Sequence, residues 1–193
     1  REVSNSFIQG LFSNNFKVNI CGFAIAKVNM CFVASDFFHF ISLLKDKNGD
    51  VLDIGANIGI MSVHLAQKVP NATVHAFEPI PDNATVLRKI LKRFKLKNVQ
   101  LYEFALGENE GNVEMILPIN GKTKMQGLSH VKHETIDEWN EGQEFEVPIK
   151  KLDTLFPEDR IQGIKIDVEN FEYFVLKGGI NILEKQKPII YAE

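Results

Sequence analysis

Val51-Leu52-Asp53-Ile54-Gly55-Ala56-Asn57-Ile58-Gly59 reads as a buried strand, a tight loop and the start of a helix. A short apolar run ends in an acid, two glycines bracket a small polar turn, and Ile60, Val63, His64 and Leu65 open a helical pattern. A residue without Cβ lets the backbone bend sharply and lets a ligand approach closely, which gives Gly55 and Gly59 their interest. Asp53, at the strand's end, is placed to accept hydrogen bonds from a cationic or hydroxyl-bearing ligand. A glycine loop alone is weak evidence for a nucleotide site, so its companions must be sought along the chain.

Downstream they follow in order. The helix from Gly59 runs to about Lys68 and is closed by Pro70-Asn71. Thr73 to Phe77 reads as a second strand, ending in Glu78-Pro79. Pro81 to Lys95 is an amphipathic helix with Ala84, Leu87, Ile90, Leu91 and Phe94 on one side, and Val99 to Phe104 a third strand. This alternation predicts a doubly wound α/β fold with a parallel sheet and right-handed crossovers. Ligands of such sheets sit outside the carboxyl ends of the strands, where Asp53, Glu78 and Ala105 all fall. Glu78 follows the loop at the interval expected of an acid that grips ribose hydroxyls. The loop is not the dinucleotide GxGxxG: its glycines are spaced differently, with Asp53 in front and Asn57 inside. A pyrophosphate needs backbone donors and no nearby carboxylate. An acid at the loop's mouth suits a ligand with an amino group or a positive charge.

Upstream, Phe16 to Val28 reads as a hairpin about Cys21-Gly22, and Asp36 to Leu44 as a helix with Phe37, Phe40, Ile41 and Leu44 at helical spacing. Asn48-Gly49-Asp50 turns into the opening strand, so residues 1–47 are expected to form a cap laid before a core of residues 48–193. The hydrophobic share of 45% and charged share of 24% are those of an ordinary globular domain. A net charge of −3 argues against a nucleic-acid binder that relies on phosphate neutralisation, and the basic run from Arg88 to Lys97 reads as a solvated helix face. Cys21 and Cys31 lie among apolar residues without metal-ligand spacing, which suggests buried thiols in a reducing, cytoplasmic setting. No membrane association is expected, because the most apolar early stretch, Phe23 to Phe40, is broken by Lys27, Asn29 and Asp36.

Val113 to Lys150 is an insertion between the third and fourth strands of the core. Val113 to Leu117 and Glu144 to Ile149 read as paired strands, and the polar segment Lys122 to His133 between them as a mobile lid over an acceptor site. His130 and His133 offer a general base or a metal ligand. Two solvent-exposed loop histidines are the plainer reading, since His-x-x-His without a carboxylate at helical spacing is poor evidence for zinc, and no metal is expected. His39, His64 and His75 fall on helix or strand patterns and are read as structural.

Four blocks carry a resemblance to the FkbM family of S-adenosylmethionine-dependent methyltransferases. They are Val51-LDIGANIG-Ile60, His75-AFEP-Ile80, Ala105-Leu106-Gly107 and Gly163-IKIDVENFEYFVLKGG-Ile180; Leu152-Asp153-Thr154-Leu155 fits as well. The resemblance covers roughly residue 48 to the end. Where the family usually has Gly after the Asp-Val-Glu of the last block this chain has Asn170, a residue that tolerates left-handed angles better than most. The chain stops at Glu193, at the fifth strand, so the resemblance implies a Rossmann-like methyltransferase sheet lacking its C-terminal strands.

The resemblance further implies that Asp53 and Gly55 to Asn57, with Gly59, form the floor beneath the methionine part of S-adenosylmethionine, the carboxylate near its ammonium. Glu78 would hold the ribose hydroxyls, and Phe104, Ala105 and Leu106 would border the adenine. Asp167 would face the methionine end or the acceptor, with Glu169 and Glu172 just beyond at a helix start, where the dipole favours negative charge. The implied activity is methylation, chiefly O-methylation of a small-molecule or carbohydrate hydroxyl. A neutral hydroxyl needs a general base, for which Asp167, Glu169 and His130 are the candidates. An NAD-linked oxidoreductase explains the loop and Glu78 but not Asp53 or the last block. A catalytically silent nucleotide-binding module is the remaining alternative.

Overall fold

The computed structural model describes residues 30–44, 49–120, 123–124, 129–132, 142–158 and 160–193. The expected hairpin Phe16 to Val28, Cys21, the side chain of Cys31 and His133 lie outside the described residues. The chain runs through α1 (Met30–Leu43), β1 (Asp50–Ile54), α2 (Ile60–Lys68), β2 (Val74–Phe77), α3 (Pro81–Phe94) and β3 (Val99–Tyr102). It continues through β4 (Ala105–Leu106), β5 (Gly111–Asn120), β6 (Thr123–Lys124), β7 (His130–Val131), β8 (Gly142–Lys150) and α4 (Leu152–Leu155). It closes with β9 (Ile161–Ile166), α5 (Glu172–Lys177), α6 (Ile180–Gln186) and β10 (Ile189–Ala192).

Five strands form a parallel sheet in the order β10–β9–β1–β2–β3. Strands covered on both faces should be apolar throughout, and every residue of β2 is buried. Register sorts the two faces. Val51 pairs with Val74 and with Gly163, Asp53 with Ala76 and with Lys165. On this face lie α1 to α3, through Phe37, Phe40 and Leu65 near Val51 and Val74, and Leu87 near Ala76. The opposite face, with Leu52, Phe77 and Ile164, packs Leu152, Val175 and Ile182 of α4, α5 and α6. The strand order reverses at β1, which therefore carries the crevice expected of a doubly wound sheet.

Three details differ from the sequence reading. α1 starts at Met30 and, over its described side chains, packs as a layer helix, with Phe37 and Phe40 each 5.9 Å from the Tyr191 ring of β10. The insertion is larger than a hairpin. β5 and β8 pair antiparallel from Gly111↔Ile149 to Pro118↔Gly142, β4 adds parallel to β8, and β7 adds to β5. The third concerns the lid: His130 and Val131 are buried strand residues opposite Ile116 and Met115, so this part of the segment is packed structure. The polar run around them hid a two-residue strand that only the long partner β5 makes possible. Among the described residues no helix is long and apolar enough to cross a membrane.

Candidate active site

The carboxyl ends of β1, β2 and β9 open, together with the inner face of the small sheet, into one cleft of about 650 Å³ including the solvent at its mouth. Its floor is the glycine loop. Gly55 and Ala56 both donate backbone N–H bonds to Phe77 O, at 3.1 and 2.9 Å, so the loop folds across the end of β2. Gly55 has φ +74°, and a Cβ there would lie 1.8 Å from Asp167 O. Gly59 has φ +88°, and its Cβ would lie 2.7 Å from Leu87 Cγ. At both positions the positive φ fits the expected sharp bend, and the neighbouring backbone or helix already excludes a side chain.

Glu78 is the best-held polar group in the cleft. It is buried; Oε2 accepts the Asn57 N–H at 2.8 Å, and Oε1 accepts the Ile80 N–H at 2.9 Å and Asn83 Nδ2 at 3.3 Å. Burial pushes its carboxyl up to about 7, against the lowering effect of those three donors and of Lys165. Asn57 and Asn83 also line the cleft, and the Oδ1 atom of each is buried without a hydrogen-bond partner among the described residues. Buried acceptors normally find donors. A carboxylate flanked by two orphan amide oxygens fits a ligand that offers several hydroxyl or amine hydrogens.

Asp53 is placed otherwise than expected. It is fully buried behind the loop and does not line the cleft; Oδ2 accepts Ser62 Oγ at 2.5 Å, and Oδ1 lies 3.4 Å from Lys165 Nζ. The register Asp53↔Lys165 puts the two charges side by side, so a protein ammonium stands where a direct contact to the ligand's ammonium was anticipated. Ala56 and Gly59 likewise shape the loop from behind, whereas Gly55, Asn57, Glu78, Phe104, Ala105 and Leu106 border the cleft. Lys165 and Asn83 were missed in the sequence. A lysine between Ile164 and Ile166 in an otherwise apolar strand was the available signal, since a buried cation demands a nearby acid.

Asp167 and Glu169 border the same cleft. Burial is the first cause pushing the Asp167 carboxyl up; Lys165 opposes it, and Glu172 and Asp53 add to it. Glu169 is pushed up by burial first, then by Asp167 and Glu172, while the charge of His130 lowers it. The turn carrying these acids is left-handed at Glu169 (φ 50°) and Asn170 (φ 69°), so Asn170 adopts the conformation for which the family uses glycine. Glu172 starts α5, its Oε1 accepting the Val168 N–H at 3.0 Å. His130 is buried on β7, which corrects its reading as a loop histidine; Ser129 and Val131, its neighbours, border the cleft while His130 does not. The insertion thus forms a wall of the cleft, with Met115 and Val131 beside Phe104 and Leu106. One cleft thus holds a polar clamp, an apolar wall and partly buried carboxylates.

The family model for the methyltransferase FkbM domain matches residues 53–193. "Methyltransferase 1" of Beauveria bassiana (strain ARSEF 2860) is 26% identical over 142 residues, covering 66% of this chain and 57% of that protein. "Methyltransferase sdnD" of Sordaria araneosa is 29% identical over 184 residues, covering 81% and 71%. The crystal structure of methyltransferase FkbM from Methylobacillus flagellatus KT gives a TM-score of 0.55 at 20% identity, over 78% of this chain and 34% of that one, a likeness of fold. The chain thus spans just over half of the Beauveria protein and about a third of the Methylobacillus chain.

Proposed function

The chain belongs to the methyltransferase FkbM domain family, and from that premise we propose that it transfers a methyl group from S-adenosylmethionine to a hydroxyl of a small-molecule or carbohydrate acceptor. The observation that carries the reading is the convergence, in one cleft, of Glu78 and the orphan oxygens of Asn57 and Asn83 with the carboxylates of Asp167 and Glu169. Glu78 accepts the ribose hydroxyls, and Phe104, Ala105 and Leu106 border the adenine. Phe104 is braced for this, with the Lys150 ammonium 4.7 Å from its ring centre and the Phe77 ring edge-on at 5.8 Å.

When bound, S-adenosylmethionine supplies a methyl group already activated on a sulfonium. The protein's tasks are to orient the acceptor, exclude water and receive the hydroxyl proton. Asp167 and Glu169, which border the cleft, are suited to receive that proton. Their carboxyls are raised toward neutrality, so each is a stronger base than a free carboxylate, and their negative charge favours a cationic ligand. His130, buried on β7 between the cleft residues Ser129 and Val131, is proposed to act on Glu169 indirectly. A cytoplasmic setting completes the proposal, on the strength of the apolar sequence surroundings of Cys21 and Cys31.

Calorimetric titration with S-adenosylhomocysteine and, in parallel, NAD tests the cofactor. Saturable binding of the first and none of the second is expected; the reverse result overturns the reading. A panel of hydroxylated acceptors, with product identified by a mass gain of one methylene, tests the transfer. Binding of the cofactor without turnover of any acceptor would favour a silent module.

A further inference from the structure

We propose that Lys165 is a positioning residue of the transfer site, a single buried cation that ties the carboxyl end of β1 to that of β9. The inference rests on the cofactor reading of the cleft. The Lys165 side chain is 2% exposed, and its Nζ donates to Gly55 O at 2.8 Å and to Ile54 O at 3.4 Å. The same Nζ lies 3.4 Å from Asp53 Oδ1 and 3.7 Å from Asp167 Oδ2. Gly55 and Asp167 border the cleft and Lys165 does not, so whatever it contributes passes through them.

Neutralising Asp53 would by itself justify a buried lysine, because an unpaired interior charge is costly. The geometry goes further. The shortest contact is to the Gly55 carbonyl and not to a carboxylate, which fixes the first peptide of the loop while Gly55 and Ala56 N–H groups are held by Phe77 O. The other end of the ammonium faces Asp167, where it offsets the acids around that carboxylate: Asp53 on β1, Glu172 on α5, Glu169 in the turn and Glu193 after β10. One cation therefore sets both the loop under the ligand and the charge on the Asp167 side of the cleft. Removing it should loosen the loop and let Asp167 take up a proton at higher pH.

The test uses the 193-residue chain as wild type, K165M and D53N/K165M, with S-adenosylhomocysteine affinity measured by calorimetry from pH 5 to 9 alongside the melting temperature. K165M is expected to bind at least tenfold more weakly, with the acid-side loss of affinity displaced to higher pH. The double variant removes both buried charges, so it should regain melting temperature while affinity and pH profile stay impaired. Wild-type affinity and profile in K165M overturn the proposal. So does a double variant that regains affinity together with stability, since Lys165 would then only offset Asp53. Should neither variant fold, lysine labelled with nitrogen-15 at Nζ in the wild type decides: a solvent-protected ammonium signal that moves on saturation with S-adenosylhomocysteine supports the role, and one that stays put refutes it. A wild type that binds no S-adenosylhomocysteine overturns the cofactor reading itself, and this inference falls with it.

Discussion

The Glu78 carboxylate accepts the backbone N–H of Asn57 at 2.8 Å, so the acid ending β2 is fastened to the loop ending β1. The acid that would receive the ribose also stiffens the loop beneath the ligand. Binding and local order are therefore coupled through one side chain. Glu78→Ala should weaken S-adenosylhomocysteine binding by about 1.5–3 kcal/mol, the range for hydrogen bonds to a charged acceptor. Calorimetry on the folded variant checks this; unchanged affinity places the ribose elsewhere.

The same residue predicts a pH dependence in two opposite senses. Burial raises the Glu78 carboxyl from its ordinary value to about 7 in the folded chain. The folded state therefore holds a proton that the unfolded chain has released, and stability from this group, full below the ordinary carboxyl range, is lost as pH rises through about 7. Asp167, Glu169 and Glu193 are shifted in the same direction. Cofactor affinity should instead increase through pH 7 as Glu78 ionises and accepts hydroxyl bonds. Urea unfolding of the free chain and calorimetry, each from pH 5 to 9, test both halves. Glu78→Gln should flatten the Glu78 contribution to each curve.

Gly55 and Gly59 should fail differently. A Cβ at Gly55 meets the Asp167 carbonyl at 1.8 Å, a backbone atom that cannot turn aside, whereas at Gly59 it meets Cγ of the buried Leu87 at 2.7 Å, a side chain that must shift within the core. Gly55→Val should cost more than about 3 kcal/mol, because the clash adds to left-handed strain of about 1–3 kcal/mol. Gly59→Ala should cost less than Gly55→Val but more than that strain of about 1–3 kcal/mol alone, because Leu87 must move. Urea denaturation midpoints distinguish them, and a Gly55→Val chain of wild-type stability would refute the loop's close approach to β9.

The packed part of the insertion gives a further check. Lys132 N–H donates to Glu114 O at 2.8 Å beside the buried pair His130 and Val131. Its amide should exchange slowly with solvent in the ligand-free chain. Fast exchange there, unchanged in ladder amides of β5, would mean that the strand opens and that the lid expectation holds for this stretch too.

Much of this was legible in the residues themselves. The alternation of apolar runs and amphipathic helices from Val51 to Tyr102 is local information, and it places Gly55, Asn57 and Glu78 at strand ends without any knowledge of neighbours. The long arms of β5 and β8 announced themselves by the same means, though their full length and the added strands β4 and β7 did not. The side chains' tasks were set by the tertiary structure. Sequence leaves Asp53 an acid at a strand end; parallel pairing of β1 with β9 puts Lys165 beside it and turns its charge inward. Likewise His130 reads as a polar loop residue until β5 supplies a partner, and what a side chain at Gly55 would meet is known only once the chain after β9 brings the Asp167 carbonyl against it. Periodicity records which side of an element is apolar. Strand order and register, settled only when distant segments pair, decide what each polar group on that element meets.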